Sequence, residues 1–316
     1  MLSHRLSHII IILKIAASIA FCAMLVSCGT GIEITEHVTD KDVKKAIILT
    51  DNTIVKSSLQ AYVDSVPNWQ AGKKRFWVAD DQARLLFQET DSVALAGHVL
   101  EYDGYDTGRI YDNRQTVNLN FRDTANGRVF VYRSGKTIGE FTSKFSIPML
   151  IDLDVVDHVA RQVVGNNYYI LTGIWYHPES EHMINGRHFI LVHIDSVLPG
   201  NAVMPLRAHF TTADSGEQAM VWMSDNSSTL HSRDFDALFS SANPRLSYPT
   251  ISDRNWELIT RAALAEGMTK EECRLSMGSP KNINQLPDQS GMKEYWYYDG
   301  GAYLYFVDGL LNQYRK

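Results

Sequence analysis

The sequence predicts an α+β protein in which a β-rich middle region precedes a helix–helix–three-strand domain at the C-terminus. Short runs rich in β-branched and aromatic residues, separated by Gly, Asn, Asp and Pro, fill most of residues 46–228, as in antiparallel sheets. From residue 251 onward, two segments have apolar residues at helical spacing, and three more strand-like runs follow them.

The N-terminal segment has the composition of an export signal. Residues 1–8 carry Arg5 and no acidic residue, and residues 9–27 are apolar apart from Lys14. A charged start followed by an apolar stretch is typical of a cleaved signal peptide. An uncleaved transmembrane helix is the alternative, and it is disfavoured because Lys14 would lie near the bilayer centre.

The apolar stretch ends at Leu25-Val26-Ser27-Cys28. An aliphatic residue and small residues before a cysteine resemble the lipobox of bacterial lipoproteins, in which the cysteine is diacylated and becomes the new N-terminus. The resemblance implies that residues 1–27 are removed and that lipids on Cys28 hold the protein to a membrane. Two or more acyl chains give stable anchoring.

Residues 28–45 are polar and are predicted to form a flexible tether. Some Bacteroidetes-type lipoproteins carry an acidic block after the cysteine as a surface-export address, and no such block follows Cys28. In proteobacterial lipoproteins an Asp directly after the cysteine retains the protein in the inner membrane, and this sequence has Gly29 at that position. By these analogies, we expect an outer-membrane location with the body facing the periplasm.

Charge and cysteine content exclude some classes of function. Removal of residues 1–27 deletes Arg5 and Lys14 and no acid, so the formal net charge changes from −6 to −8. An acidic chain lacks the excess of positive charge that binds the phosphates of nucleic acid. Of the three cysteines, only Cys273 remains as a free thiol after cleavage and acylation, so no internal disulfide is expected, and no cofactor is predicted.

The middle region is predicted to contain several strands and one helix, at residues 153–164. Residues 119–134 and 206–224 both have the pattern of a strand, a Gly-containing turn and a second strand, as in a β-hairpin. The similarity of these two segments suggests two small SH3-like barrels, at about 46–150 and 151–228. The alternative is one irregular β-domain. Residues 229–250 are a connector, which carries too many apolar residues for a free linker.

The C-terminal domain, residues 251–316, has clear helix boundaries. Ser252 or Asp253 is a suitable N-cap for the first helix, and Thr269-x-x-Glu272 has the pattern of a capping box at the start of the second. Gly278 and Pro280 are suited to end that helix. Three strands are then predicted near residues 294–298, 302–306 and 310–314, joined by Gly-containing turns.

This order of helices and strands resembles the BamE-like (SmpA/OmlA) lipoprotein domain and the similar β-lactamase-inhibitor-like proteins. The resemblance rests on three motifs, which are Gly267-Met-Thr-x-Glu-Glu-x-Arg-x-x-Met-Gly-Ser-Pro280, Trp296-x-Tyr298 and Tyr305-Phe306-x-Asp-Gly-x-Leu311. It implies a helper or binding module and supplies no catalytic residue. One side of the sheet would cover the helices, and the other would bind protein. The candidate binding residues are Tyr295, Trp296, Tyr297, Tyr298, Tyr303 and Tyr305.

The sequence contains no nucleophile elbow, zinc-protease motif, P-loop or dinucleotide fingerprint. His177 and His182, with Glu179 and Glu181 between them, could bind zinc if their loop folded back, but a solvated hairpin loop is favoured. Asp152, Asp154 and Asp157 could act as the acids of a glycosidase, but complementation of a helix dipole is favoured.

The function predicted from the sequence is that of an anchored, non-catalytic envelope lipoprotein with a protein partner. An anchored periplasmic hydrolase acting on glycan or peptide is the first alternative, and a hydrolase-inhibitor-like protein is the second. The sequence does not name the partner, and it does not predict the oligomeric state.

Overall fold

A computed structural model describes residues 59–87, 94–109, 114–143, 145–225, 233–288 and 291–316. These residues belong to one compact unit, Val43–Lys316. The predicted signal peptide, Cys28 and the tether lie outside the described residues. Within these described residues, three antiparallel sheets and four short to medium α-helices confirm the β-rich α+β class. In the described part of the chain, no helix has the length and apolarity needed to cross a membrane.

The first sheet has five strands in the order β4-β3-β2-β1-β5. Its strands are β1 (Arg75–Val78), β2 (Val99–Arg109), β3 (Gln115–Asp123), β4 (Val129–Arg133) and β5 (Leu150–Asp152). One side of the sheet carries an aromatic core of Phe76, Tyr102, Phe121 and Phe130, all almost fully buried. The β3–β4 hairpin confirms the first of the two predicted hairpins.

The second sheet has seven strands in the order β12-β6-β9-β10-β11-β7-β8. Its strands are β6 (Asn167–Ile170), β7 (Ile174–Tyr176), β8 (Met183–Asn185), β9 (Ile190–Pro199), β10 (Leu206–Thr212), β11 (Gln218–Met223) and β12 (Phe239–Ser240). Helix α1 (Leu153–Val163) packs on its core through Val156, Val159 and Val163. The predicted helix and the β10–β11 hairpin are both confirmed.

The predicted connector contributes to the core of the second sheet. Helix α2 (Phe235–Leu238) and β12 follow each other directly. The side chains of Phe235, Leu238 and Phe239 are each 2 % exposed, and they pack with the residues of that sheet. The described residues of this segment are therefore ordered, as their apolar content predicted.

The C-terminal domain combines helices α3 (Asp253–Thr260) and α4 (Lys270–Met277) with a four-stranded sheet in the order β13-β14-β15-β16. The strands are β13 (Asn282–Asp288), β14 (Gly291–Tyr297), β15 (Tyr303–Val307) and β16 (Leu310–Arg315). The sequence predicted only the last three strands. β13 was missed because its residues show no regular alternation of apolar and polar side chains.

The starts of both helices and the end of α4 follow the predicted capping chemistry, whereas α3 ends at Thr260. The Ser252 hydroxyl accepts a hydrogen bond from the Asn255 amide at 3.2 Å. Thr269 and Glu272 form both bonds of the capping box, 3.2 Å from the Glu272 amide to the Thr269 hydroxyl and 2.7 Å from the Thr269 amide to the Glu272 carboxylate. Gly278 ends α4 with a φ of 78°, a conformation that favours glycine.

Lys74 joins the first sheet to α1. Its Nζ lies 2.7 Å from Asp152, 2.9 Å from Asp154 and 3.0 Å from Asp64, and its side chain is 2 % exposed. Burial alone would lower the pKa of Lys74, but the hydrogen bond and charge of Asp152, together with hydrogen bonds to Asp154 and Asp64, raise it instead. The ammonium group is therefore charged and holds three carboxylates together.

His188 joins the second sheet to the C-terminal helices. Its backbone N–H donates to the Thr260 carbonyl at 2.9 Å, and its Nε2 lies 3.0 Å from the Leu275 carbonyl. Since a carbonyl oxygen only accepts, Nε2 carries the proton. Burial lowers the pKa of His188 to about 4, against a smaller opposing effect of the Leu275 bond. The imidazole is therefore neutral at this junction.

Candidate functional site

The C-terminal sheet has two chemically different sides, because successive side chains of a strand point in opposite directions. The side that faces α3 and α4 is closed by Trp296, Leu304, Phe306 and Leu311, each at most 2 % exposed. The opposite side carries no helix among the described elements, and its side chains are half-buried or exposed. This open side is the candidate functional site.

Strand register places four tyrosines in a two-by-two array on the open side. In one row Tyr297 lies opposite Tyr303, and in the next row Tyr295 lies opposite Tyr305. The rings of Tyr295 and Tyr305 stack with centroids 4.6 Å apart and an interplanar angle of 23°. We call these four residues the tyrosine face. It is an aromatic surface carried by two paired strands.

Polar and apolar side chains flank the tyrosine face in the same registers. Asn282 and Asn284 of β13 lie beside it on one flank, and Gln313 and Arg315 of β16 lie on the other. A third row continues it along the sheet, formed by Leu286, Lys293, Val307 and Leu310. The described side chains on this side include the cations Lys293 and Arg315.

A buried polar cluster beneath the sheet fixes the strands that carry the tyrosines. Glu294 is 2 % exposed and accepts hydrogen bonds from Lys270 of α4, from the Trp296 indole and, at 3.0 Å, from Gln285. Burial opposes ionisation of Glu294, but these bonds outweigh it, and its pKa is lowered. The guanidinium of Arg274 covers the Trp296 ring at 4.6 Å. α4 is thereby bonded to the strand whose other side presents Tyr295 and Tyr297.

Two of the six predicted binding residues do not lie on the open side. Trp296 is fully buried against the helices, so its assignment to the binding surface was wrong. Tyr298 packs with the same core, and its hydroxyl donates to the Gly278 carbonyl at 3.2 Å. Alternation along a strand separates the residues into two sets, but it does not say which set faces the helices. The four tyrosines of the open side remain as the candidate site.

The two histidines predicted as possible zinc ligands lie in the hairpin between β7 and β8. Their rings stack with centroids 5.4 Å apart and an angle of 10°. Nδ1 of His177 accepts from the amides of Glu179 and Ser180, at 3.3 and 3.4 Å, and Nδ1 of His182 bonds the Ser180 hydroxyl at 2.6 Å. The Glu181 carboxylate forms an ion pair with Arg207 instead of facing the two imidazoles. Among the described residues, no group of three or more His, Cys, Asp or Glu is placed to hold a metal ion.

The predicted acidic candidates lie at the start of α1. The Asp152 carboxylate caps the helix by accepting from the Asp154 amide at 3.0 Å, and Asp157 lies 4.0 Å from Arg75. Asp64 and Asp154 line an open hollow of about 320 Å³ beside Lys74. Both of these carboxylates are bonded to the same ammonium group.

The remaining thiol is buried in the C-terminal domain. Cys273 lies on α4 and is fully buried, and its burial raises the pKa of the thiol to about 12. A buried thiol with a raised pKa is not a nucleophile. Cys273 therefore acts as a small apolar core residue.

Comparison of the chain with models of protein families, with curated proteins and with solved structures found no match. The geometry of the tyrosine face is therefore the main evidence that bears on function.

Proposed function

We propose that this chain is a lipid-anchored protein of the bacterial envelope that binds another protein without catalysing a reaction. The observation that carries the proposal is the tyrosine face. Interfaces are enriched in Tyr, Trp and Arg, and rigid aromatic side chains contribute much of their binding energy. The face consists of four ordered tyrosines, and the adjoining row includes the apolar side chains of Leu286, Val307 and Leu310. An open surface of this kind on a soluble body marks a site of interaction.

The proposal includes a BamE-like C-terminal domain and a β-rich middle built as one or two small SH3-like barrels. Two features support the first likeness, namely the order of α3, α4 and β14 to β16 and the capping box at Thr269. The fourth strand, β13, is a departure from the expected helix–helix–three-strand layout. The separation of the middle strands into two sheets, which divide near residue 150, supports two small units.

Photo-crosslinking in cells tests the tyrosine face. Replacement of Tyr297, which is 43 % exposed, by p-benzoylphenylalanine should give one discrete crosslinked partner protein. The matched control places the same residue at Leu246, which is 77 % exposed and lies outside the C-terminal sheet. The absence of an adduct at position 297, or the same adducts at both positions, would contradict the proposal.

Membrane fractionation tests the anchor. Cys28→Ser removes the thiol that the lipid needs, so the variant should move from the membrane fraction to the soluble fraction after cell lysis. A Cys22→Ser variant is the control, because Cys22 belongs to the segment that is expected to be removed. Retention of the Cys28→Ser protein in the membrane would show that an uncleaved helix holds it.

A further inference from the structure

The open hollow beside Lys74 is a second candidate for ligand binding. It is lined by residues 62–64, 68–70 and 73–74 and by Asp154 at the start of α1. Its volume of about 320 Å³ lies within the range of small-molecule sites, roughly 300–1,000 Å³. None of these residues belongs to the C-terminal sheet, so the hollow is distinct from the tyrosine face.

The wall of the hollow is fixed by the first sheet and its aromatic core. Val66–Asn68 form a 3-10 turn. The next residue, Trp69, packs against the rings of Phe76 and Tyr102, with centroids 5.1 and 5.4 Å away. Gly72 N–H donates to the Tyr102 carbonyl of β2 at 2.9 Å. A wall that is ordered before a ligand arrives loses little conformational freedom on binding.

Several polar groups around the hollow make no hydrogen bond within the described residues. They include the side-chain amide of Gln70 and the indole N–H of Trp69. The Asn68 amide donates to the Ser65 hydroxyl at 3.4 Å, and its carbonyl oxygen accepts no bond from a described residue. The lining therefore offers unused donors and unused acceptors side by side.

The carboxylate of Asp154 adds a further acceptor. Its Oδ2 lies 2.9 Å from the Lys74 ammonium and 3.3 Å from the Tyr62 hydroxyl. Its Oδ1 accepts no hydrogen bond from any residue that the structure describes, and the side chain is 33 % exposed. One carboxylate oxygen at the border of the hollow is thus held in position and still able to bind a ligand.

The charges around the hollow balance each other. The lining contains the carboxylates of Asp64 and Asp154 and the ammonium groups of Lys73 and Lys74, so its formal charge is zero. Three carboxylates occupy the three N–H donors of Lys74, and an anion would have to displace one of them. An uncharged ligand with many hydrogen-bonding groups therefore suits the hollow better than an ion.

A saccharide has this combination of properties. Each of its hydroxyl groups can donate and accept, and planar amide and carboxylate groups provide the matching partners. The C–H groups on one side of a pyranose ring are apolar and pack against an indole ring. Trp69 is only half-buried despite its aromatic neighbours, and it borders the hollow, so part of the indole is available for such a contact.

We propose that the hollow beside Lys74 binds a short neutral saccharide. Trp69 contacts the apolar side of a sugar ring, and Asn68, Gln70 and Asp154 bind its hydroxyl groups. The inference goes beyond the proposed protein-binding function and uses none of the residues of the tyrosine face.

Saturation-transfer-difference NMR and calorimetry on the complete lipidated protein test the inference, in a detergent that has no sugar headgroup. The probes are the neutral disaccharides cellobiose, maltose and N,N′-diacetylchitobiose. We expect at least one of them to bind. Chitobiose with free amino groups and cellobiuronic acid are the charged counterparts, and they should bind more weakly than the neutral probe.

The decisive variant is Asn68→Ala/Gln70→Ala. Both residues are exposed, so the fold should persist, and the loss of their hydrogen bonds should weaken saccharide binding about tenfold. Gln82→Ala is the matched control, because it removes an exposed amide outside the hollow and should leave the affinity unchanged.

Tryptophan fluorescence gives a readout that does not require loss of binding. The saccharide should change the emission of the wild type, and Trp69→Phe should abolish this change because the reporting indole is absent.

Four results would overturn the inference. They are no binding of any neutral disaccharide, equal affinity of the wild type and Asn68→Ala/Gln70→Ala, stronger binding of the charged counterparts, and a fluorescence change that persists in Trp69→Phe. Each of these results leaves the crosslink from position 297 untouched, so failure of this inference is distinguishable from failure of the proposed function.

Discussion

Lowering the pH from 7 to 5 should weaken the fold through His188. An unfolded histidine binds a proton near pH 6.5, whereas burial lowers the pKa of His188 to about 4. Between these values the unfolded chain holds more protons, so the free energy of unfolding falls as the pH is lowered. The full difference is reached only below about pH 4.

The size of the effect follows from the two pKa values. Each unit of pKa difference corresponds to about 1.4 kcal/mol, and the share realised between pH 7 and pH 5 is about 2 kcal/mol. His188→Gln offers an amide N–H for the Leu275 carbonyl and does not titrate in this range. This variant should therefore lose about 2 kcal/mol less than the wild type over the same interval.

Urea unfolding, followed by tryptophan fluorescence at several pH values, measures this difference. A soluble form that starts at residue 28 and carries Cys28→Ser avoids detergent. Other histidines titrate equally in both proteins, so the comparison isolates His188. Equal losses of stability in the wild type and in His188→Gln would refute the assignment of the pH dependence to this buried imidazole.

Three further substitutions have defined expectations, which chemical denaturation can check. Lys74→Met leaves three carboxylates without their cation and should lower the free energy of unfolding by about 3–5 kcal/mol. The control Lys73→Met, at an exposed position, should change it little. Equal effects of the two substitutions would contradict the role of the Lys74 cluster. Gly186→Ala would place a Cβ within 1.9 Å of the Trp175 ring and should cost about 1–3 kcal/mol. Gly139→Ala should leave the free energy of unfolding unchanged, because the added Cβ would meet no neighbouring atom within 4 Å. Trp296→Ala should cost about 3–5 kcal/mol, while Tyr297→Ala should reduce partner binding with little change in stability.

The sequence predicted those parts of the fold in which local pattern and burial agree. Helix α1, the capping box at Thr269 and the two hairpins were all predicted, because each depends on residues close together in the chain. β13 was missed because an edge strand with both sides exposed needs no alternation of polarity. Its only apolar residues, apart from Pro287, are Ile283 and Leu286, and their spacing fits no strand.

The candidate site could be predicted only in part. The aromatic runs of β14 and β15 identified the right strands, but the choice between Trp296 and Tyr297 as the surface residue required the position of the helices. The Lys74 cluster could not be predicted from local sequence, because Asp152 and Asp154 are far from Lys74 in the chain and meet it only through packing of the first sheet on α1. Only the role of Asp152 at the helix start was evident beforehand.

The three-carboxylate contact of Lys74 has a mechanical consequence if the chain is anchored at Cys28. Tension from the membrane would enter the described body through the residues that precede β1. Asp64 is one of these residues, and Lys74 connects it to Asp152 and Asp154 at the start of α1. A pull on the tether would therefore be transmitted to α1 and the second sheet, and the strands around the tyrosine face would carry little of the strain.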